Sequence, residues 1–215
     1  GTDGESYGHH EAFGDMCAAY LYNRYAPEHE MVPVNYGWFL EKFPPEYEVT
    51  LKNAQGEGCA WSCAHGVGRW YRDCGCSTGA AEGWNQKWRG PLRDAFNHLK
   101  NLADEVFLRE FPKISDVNPW DARNEFVDTL VCPEDTSRME RYLEKVLRDP
   151  SNKQHRIAAV RLMEIQKYCM FSFTSCGWFF NDIEGLEPVQ NMRYALRAIE
   201  LFKMFLPSSH PIKDQ

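Results

Sequence analysis

Two stretches of this sequence carry residue types that do chemistry at spacings that matter. The first is the opening GTDGESYGHH, with carboxylates at Asp3 and Glu5 and imidazoles at His9 and His10. If Thr2 to Ser6 is the end of a strand, side chains two residues apart share a face, so Asp3 and Glu5 would point into one site. A carboxyl group at the rim of a barrel strand suits a general acid or base, or the nucleophile of glycosyl transfer. His9 and His10 could hydrogen-bond a sugar hydroxyl, or join Asp3 as ligands of a divalent metal in a deacetylase-like site. The same spacing also fits exposed terminal charges followed by a helix start.

The second stretch is the cysteine loop. Cys63, His65, Cys74 and Cys76 read as C-x-H, eight residues, then C-x-C, with Cys59 four residues upstream. Zinc accepts three thiolates and one imidazole in a closed tetrahedron. An iron–sulfur cluster is the alternative if four cysteines are recruited, with Cys176 of TSCGW as a remote ligand. Plain packing of small thiols is the third reading.

These groups need elements to hold them. After the opening, EAFGDMCAAYLYNRYA places apolar residues at helical spacing. A short strand is expected around Met31 to Val34 and a short helix around Gly37 to Phe43, stopped by Pro44 and Pro45. Residues 1–55 therefore read as α/β, and residues 56–90 as a long irregular loop rich in Cys, Trp and Gly, of the kind that is usually functional. From 91 to 215 the pattern is helical. Pro91 suits a first helical turn, and Leu92, Phe96, Leu99, Leu102, Ala103 and Val106 form one stripe. Pro119 opens another helix with Trp120, Phe126, Val127 and Leu130 inward, and Ser137 with Glu140 has capping-box spacing. A long helix covers roughly Gln154 to Met170, and Pro188 starts the last, with Val189, Met192, Ala195, Leu196 and Ile199 inward. The expected fold class is mainly α: a helical bundle preceded by a short α/β segment.

Composition narrows the partners. The net charge of −7 and the lack of a basic stripe argue against nucleic acid. No run of about 18 apolar residues is present, so no membrane span is expected. Four of the eight cysteines crowd into the loop and the rest are scattered, which suggests reduced thiols in a cytoplasmic protein rather than a disulfide framework. Aromatic residues make up 14 % of the chain, enough to build either a large core or a sugar platform.

The run from Asp3 to His9, DGESYGH, resembles the D-x-E-x-F/Y-G-H signature of glycoside hydrolase family 57, retaining α-glucan enzymes with a seven-stranded (β/α) barrel and a helical C-terminal domain. The segment from Val32 to Leu51 resembles the last barrel unit of that family. CAWSCAHGVGRWYRDCGC, GWNQKWRGPLR and FTSCGWFFNDIEGLEPVQNMRYALRAIEL resemble the DUF3536 domain that follows such barrels. The resemblance implies that Asp3 is the catalytic acid/base and that Glu5 and His9, with His10 beside it, shape the same subsite. It also implies that Trp61, His65, Trp84 and Trp88 contact an α-glucan or oligosaccharide, with Asp182, Glu184 and Glu187 near the same cleft or in a solvated acidic turn. No part of the sequence matches the strand that carries the family's nucleophilic glutamate. A retaining mechanism needs two carboxyl groups roughly 5 Å apart, so this chain alone is expected to be inactive without an N-terminal barrel portion of the same protein. The competing expectation is a non-catalytic structural or carbohydrate-binding module held by a Cys/His metal site.

Overall fold

The computed structural model describes residues 4–7, 11–52, 56, 58–60, 63–77 and 81–206, with Glu5 and Ser6 as backbone only. It is mainly helical, and among the described residues there is no strand. The chain divides into two compact units, Gly1–Leu51 and Lys52–Gln215.

In the first unit, α1 (Gly14–Tyr20) runs on through a π-type turn, Leu21–Tyr25, into a short helical end, Ala26–Glu28. The second helix, α2 (Tyr36–Lys42), begins where Asn35 accepts a hydrogen bond from the Trp38 N–H at 2.8 Å, filling one of the orphan donors of a first turn. Two strand expectations are corrected here. Gly4–Tyr7 is a 3-10 turn rather than a strand end, and Met31 to Val34 is irregular and exposed. A strand satisfies its backbone through a neighbouring strand, and no such neighbour stands among the described residues of this unit.

The second unit is the bundle. Its helices are α3 (Arg89–Glu110), α4 (Pro119–Glu125), α5 (Val127–Val131), α6 (Thr136–Val146), α7 (Lys153–Phe171) and α8 (Leu186–Phe202). The stripe expected on α3 is the face that enters the core: Phe96, Leu99, Ala103, Val106 and Phe107 are buried. They meet Leu143 and Val146 of α6, Leu162, Met163 and Ile165 of α7, and Ala195, Ala198 and Phe202 of α8 in one cluster. Each large side chain removed from water in this way contributes roughly 1.5–3 kcal/mol. Trp178, from a 3-10 turn at Ser175–Trp178, is fully buried among them and meets Phe96 edge to face with ring centroids 5.9 Å apart.

Local chemistry moved some boundaries. Asn118 and Asn152 cap α4 and α7 through their side-chain oxygens. The cap of α6 is Asp135, not Ser137, and the Ser137 hydroxyl donates to that carboxylate at 2.6 Å. A charged acceptor facing the positive end of a helix outcompetes a hydroxyl. The helix begun at Pro119 breaks at Phe126, so the face turns: Phe126 and Thr129 are buried, while Val127 and Leu130 are exposed. On α8 the inward positions include Ala198, whereas Leu196 is exposed. Gly177 packs so tightly against α8 that a Cβ there would lie 2.1 Å from Asn191 Nδ2. No described helix is long and apolar enough to cross a membrane.

Candidate metal centre

Among the described residues between 56 and α3 there is no regular element longer than the 3-10 turn Gly68–Trp70. Its shape is held by side chains, and four of them converge. The ligand atoms of Cys63, His65, Cys74 and Cys76 all lie within 4.8 Å of one another. Cys63 Sγ is 3.9 Å from Cys74 Sγ and 3.8 Å from Cys76 Sγ, and His65 Nδ1 is 3.2 Å from Cys76 Sγ. With Zn–S bonds of about 2.3 Å a tetrahedron has S–S edges of about 3.8 Å, so the sulfurs already stand at the separations one zinc ion imposes. An iron–sulfur cluster spreads its ligands over more than one iron; this tight set fits a single ion. The other cysteines considered for such a cluster, Cys59 and Cys176, are exposed and outside the set.

The loop turns where it must. Gly75, between Cys74 and Cys76, has φ 78°, a left-handed conformation that a Cβ disfavours, and its N–H donates to Asp73 Oδ1 at 3.0 Å. That turn lets two thiols one residue apart face the same point. Cys63 and Cys74 are buried, Cys76 is half-buried and His65 is exposed, so the centre sits at the edge of the fold with two ligands anchored inside.

Burial raises the Cys74 thiol, but the Cys76 N–H, Cys63, Cys76 and Arg69 all hydrogen-bond to it, and the net direction is down. Cys76 moves up, chiefly through its hydrogen bond with Cys63, then burial and Cys74.

Behind the ligands stands a polar chain that reaches across the sequence. Cys74 donates to Gln86 Oε1 at 3.7 Å, Gln86 Nε2 donates to Asn181 Oδ1 at 3.0 Å, and Asn181 Nδ2 donates to Ser77 Oγ at 2.9 Å. Amides serve in either sense: with both turned over, Gln86 presents Nε2 to a Cys74 thiolate and the Ser77 hydroxyl donates to Asn181. Arg89, fully buried in the first turn of α3, donates Nη1 to the Arg69 carbonyl at 2.8 Å and Nη2 to those of Phe179 and Phe180 at 3.2 and 3.0 Å. Burial and the charge of Arg69 bring its pKa down to about 10, against the attraction of Cys74, Asp73 and Cys63. Sequence reasoning did not find Arg69, Gln86, Arg89 or Asn181. Their partners lie up to 95 residues away in the chain, and no local pattern marks such a contact.

The other candidate residues fall as follows. Asp3, His9, His10 and Trp61 lie outside the described residues, and Glu5 is described by its backbone alone. Trp84 is exposed. Trp88 is half-buried, stacked on Trp178 at 6.0 Å, and donates its N–H to the Asn181 carbonyl at 2.9 Å. The Asp182 carboxylate accepts the Glu184 N–H at 2.8 Å in a turn leading to α8, whose first turn holds Glu187. The structure thus brings together Cys63, His65, Cys74 and Cys76.

Comparison with known proteins gives one match. A family model described as a domain of unknown function, DUF3536, matches residues 84–211, more than half of the chain. The Cys/His centre lies just ahead of that range. No curated protein and no solved structure matches the chain.

Proposed function

The chain belongs to the DUF3536 family, and from that footing we propose that it is the helical accessory part of a family 57-like protein acting on α-glucan, with its Cys-rich loop clamped by one structural zinc ion. The observation that carries the metal reading is the convergence of four ligand atoms from Cys63, His65, Cys74 and Cys76 within 4.8 Å. Four protein ligands fill a zinc tetrahedron and leave no open position, so the ion's role is to hold the loop rather than to activate water. Three thiolates and an imidazole supply the donor set; when bound, the ion supplies a rigid cross-link.

The chain's own residues do the rest. Gln86, Asn181, Arg69 and Arg89 connect the clamp to α3 and to the 175–181 turn, so fixing the loop fixes the end of the bundle. On this reading the fixed end of the bundle would wall the substrate cleft of the full protein. Elemental analysis of the purified chain tests the clamp: one zinc per chain is expected, and no stoichiometric metal would sink it.

Two observations support the enzyme context. One is the DGESYGH resemblance, which makes Asp3 the acid/base. The other is the apolar surface of the first unit, where Phe13, Val32, Tyr36, Val49 and Leu51 are all exposed, as they would be in a segment whose burial depends on barrel elements. A form of the protein extended upstream, assayed on maltooligosaccharides with and without Asp3→Asn, tests this reading; unchanged turnover in the variant overturns the role of Asp3.

A further inference from the structure

The three sulfurs of the centre are not equally shielded. Cys63 and Cys74 have relative exposures of 5 % and 6 %, whereas Cys76 is half-buried beside the exposed His65. Of the three sulfurs, the one open to a small solute from outside is Cys76 Sγ. Cys63 Sγ stands 3.8 Å from it. A disulfide holds its sulfurs about 2.0 Å apart, so the gap to be closed is about 1.8 Å, in a loop held by side chains rather than by regular structure. Cys74 is the poorer partner for Cys76. Its thiol is engaged with Gln86 Oε1 at 3.7 Å, and only Gly75 separates the two in the chain, so their bond would close a ring over a single residue. An accessible sulfur with a shielded second sulfur within reach is the arrangement that turns an oxidant into a reversible disulfide instead of a sulfinic acid.

We propose that Cys76 and Cys63 form a site of reversible oxidation by hydrogen peroxide, and that their disulfide releases the zinc ion. Cys76 Sγ attacks one peroxide oxygen and the O–O bond breaks, giving a sulfenic acid and hydroxide. Cys63 Sγ then attacks the sulfenic sulfur, forming the S–S bond and expelling a second hydroxide; both hydroxides leave as water with protons from solvent. Each sulfur gives up one electron and the peroxide takes the two. The oxidised pair no longer donates to the ion, which leaves Cys74 and His65, two ligands where zinc takes four. The ion departs, and a clamp of four points becomes one cross-link between residues 63 and 76. A small dithiol reverses the change by exchange: it becomes a disulfide as the two cysteines regain their thiols. This inference rests on the zinc reading and adds to it a regulation, the hold on the loop being set by oxidant.

The test uses the wild-type chain, so no variant has to fold. Zinc content is measured first. The zinc-loaded protein is then titrated with hydrogen peroxide while a chromogenic chelator reports released zinc, and peptide mass spectrometry maps the oxidised cysteines. About one zinc is expected to appear for each disulfide formed, with that disulfide joining Cys63 to Cys76, and a dithiol with added zinc should restore the loaded form. Cys17, Cys59 and Cys176 are also exposed and serve as the reference for plain accessibility. If they are oxidised while the zinc stays bound, or if zinc is released with Cys63 and Cys76 unlinked or paired to other cysteines, the oxidation site is overturned and the zinc reading stands. A chain that holds no zinc before peroxide is added overturns the zinc reading, and the release with it.

Discussion

The sulfurs of Cys63 and Cys76, thirteen residues apart in the chain, stand 3.8 Å from each other. Without a metal that approach gains one weak S–H contact and loses the freedom of an irregular loop. With one, both become bonds to a common ion. Chelation of the zinc-loaded protein, or Cys63→Ser, is expected to remove the ion and lower Tm by about 10 °C, equivalent to a few kcal/mol in a chain of this size. Limited proteolysis should then cut between residues 56 and 84 before it cuts the bundle. A chelated protein with unchanged Tm and cleavage pattern would contradict the clamp.

Cys169, on α7, has a relative exposure of 1 % and gives a pH dependence of known sign. Burial, with Asp104 adding to it and Lys100 opposing, pushes its thiol from an ordinary 9.0 up to about 12. The folded value lies above the unfolded one, so the neutral thiol's contribution is complete below pH about 9 and is lost as pH rises toward about 12. Relative to Cys169→Ala, in which other titrating groups cancel, wild type should lose about 1 kcal/mol of stability between about pH 8 and about pH 10. Urea denaturation at those two pH values measures it, and parallel curves for the two proteins would refute the burial argument.

Gly177 has no room for a methyl group. A Cβ would meet Asn191 Nδ2 at 2.1 Å and its Cγ at 2.6 Å, and Asn191 cannot retreat without losing its 2.9 Å bond to the Thr174 carbonyl. Gly177→Ala is expected to cost about 1–3 kcal/mol from overpacking. Asn191→Ala should cost less when combined with Gly177→Ala than when made alone, a non-additivity that a double-mutant cycle of thermal stabilities would reveal.

Asn152 caps α7 by accepting the Gln154 and His155 N–H groups at 2.9 and 3.3 Å. Asn152→Ala should destabilise the bundle by about 1 kcal/mol, and Asn152→Asp should be close to neutral, since both residues cap well. Equal losses in the two variants, measured by chemical denaturation, would mean that the cap contributes through something other than its acceptor oxygen.

Much of the bundle was legible because its signals are local. The α3 stripe, Pro119 and Pro188 mark helices through spacing and through proline's fit to a first turn, and the helices form there. The misread positions are those where a neighbour decides. Val127 and Leu130 point outward because the helix breaks at Phe126, and the α6 cap passed to Asp135 because a carboxylate competes better than Ser137. The strand expected over Met31 to Val34 depended on a partner strand that the described part of its unit does not provide.

The metal set divides in the same way. Residue type and spacing were enough to nominate Cys63, His65, Cys74 and Cys76, because C-x-H and C-x-C place donors within reach of one ion whatever the rest of the chain does. Only the tertiary structure could decide that the two halves meet, that Cys59 and Cys176 stay out, and that Gln86 and Asn181 stand behind Cys74. The physical reason is range. Backbone geometry and side-chain periodicity act over a few residues and are written in the sequence as patterns, whereas charge compensation in a low-dielectric interior depends on which distant segments are packed together, as Arg89 is against Phe179 and Phe180.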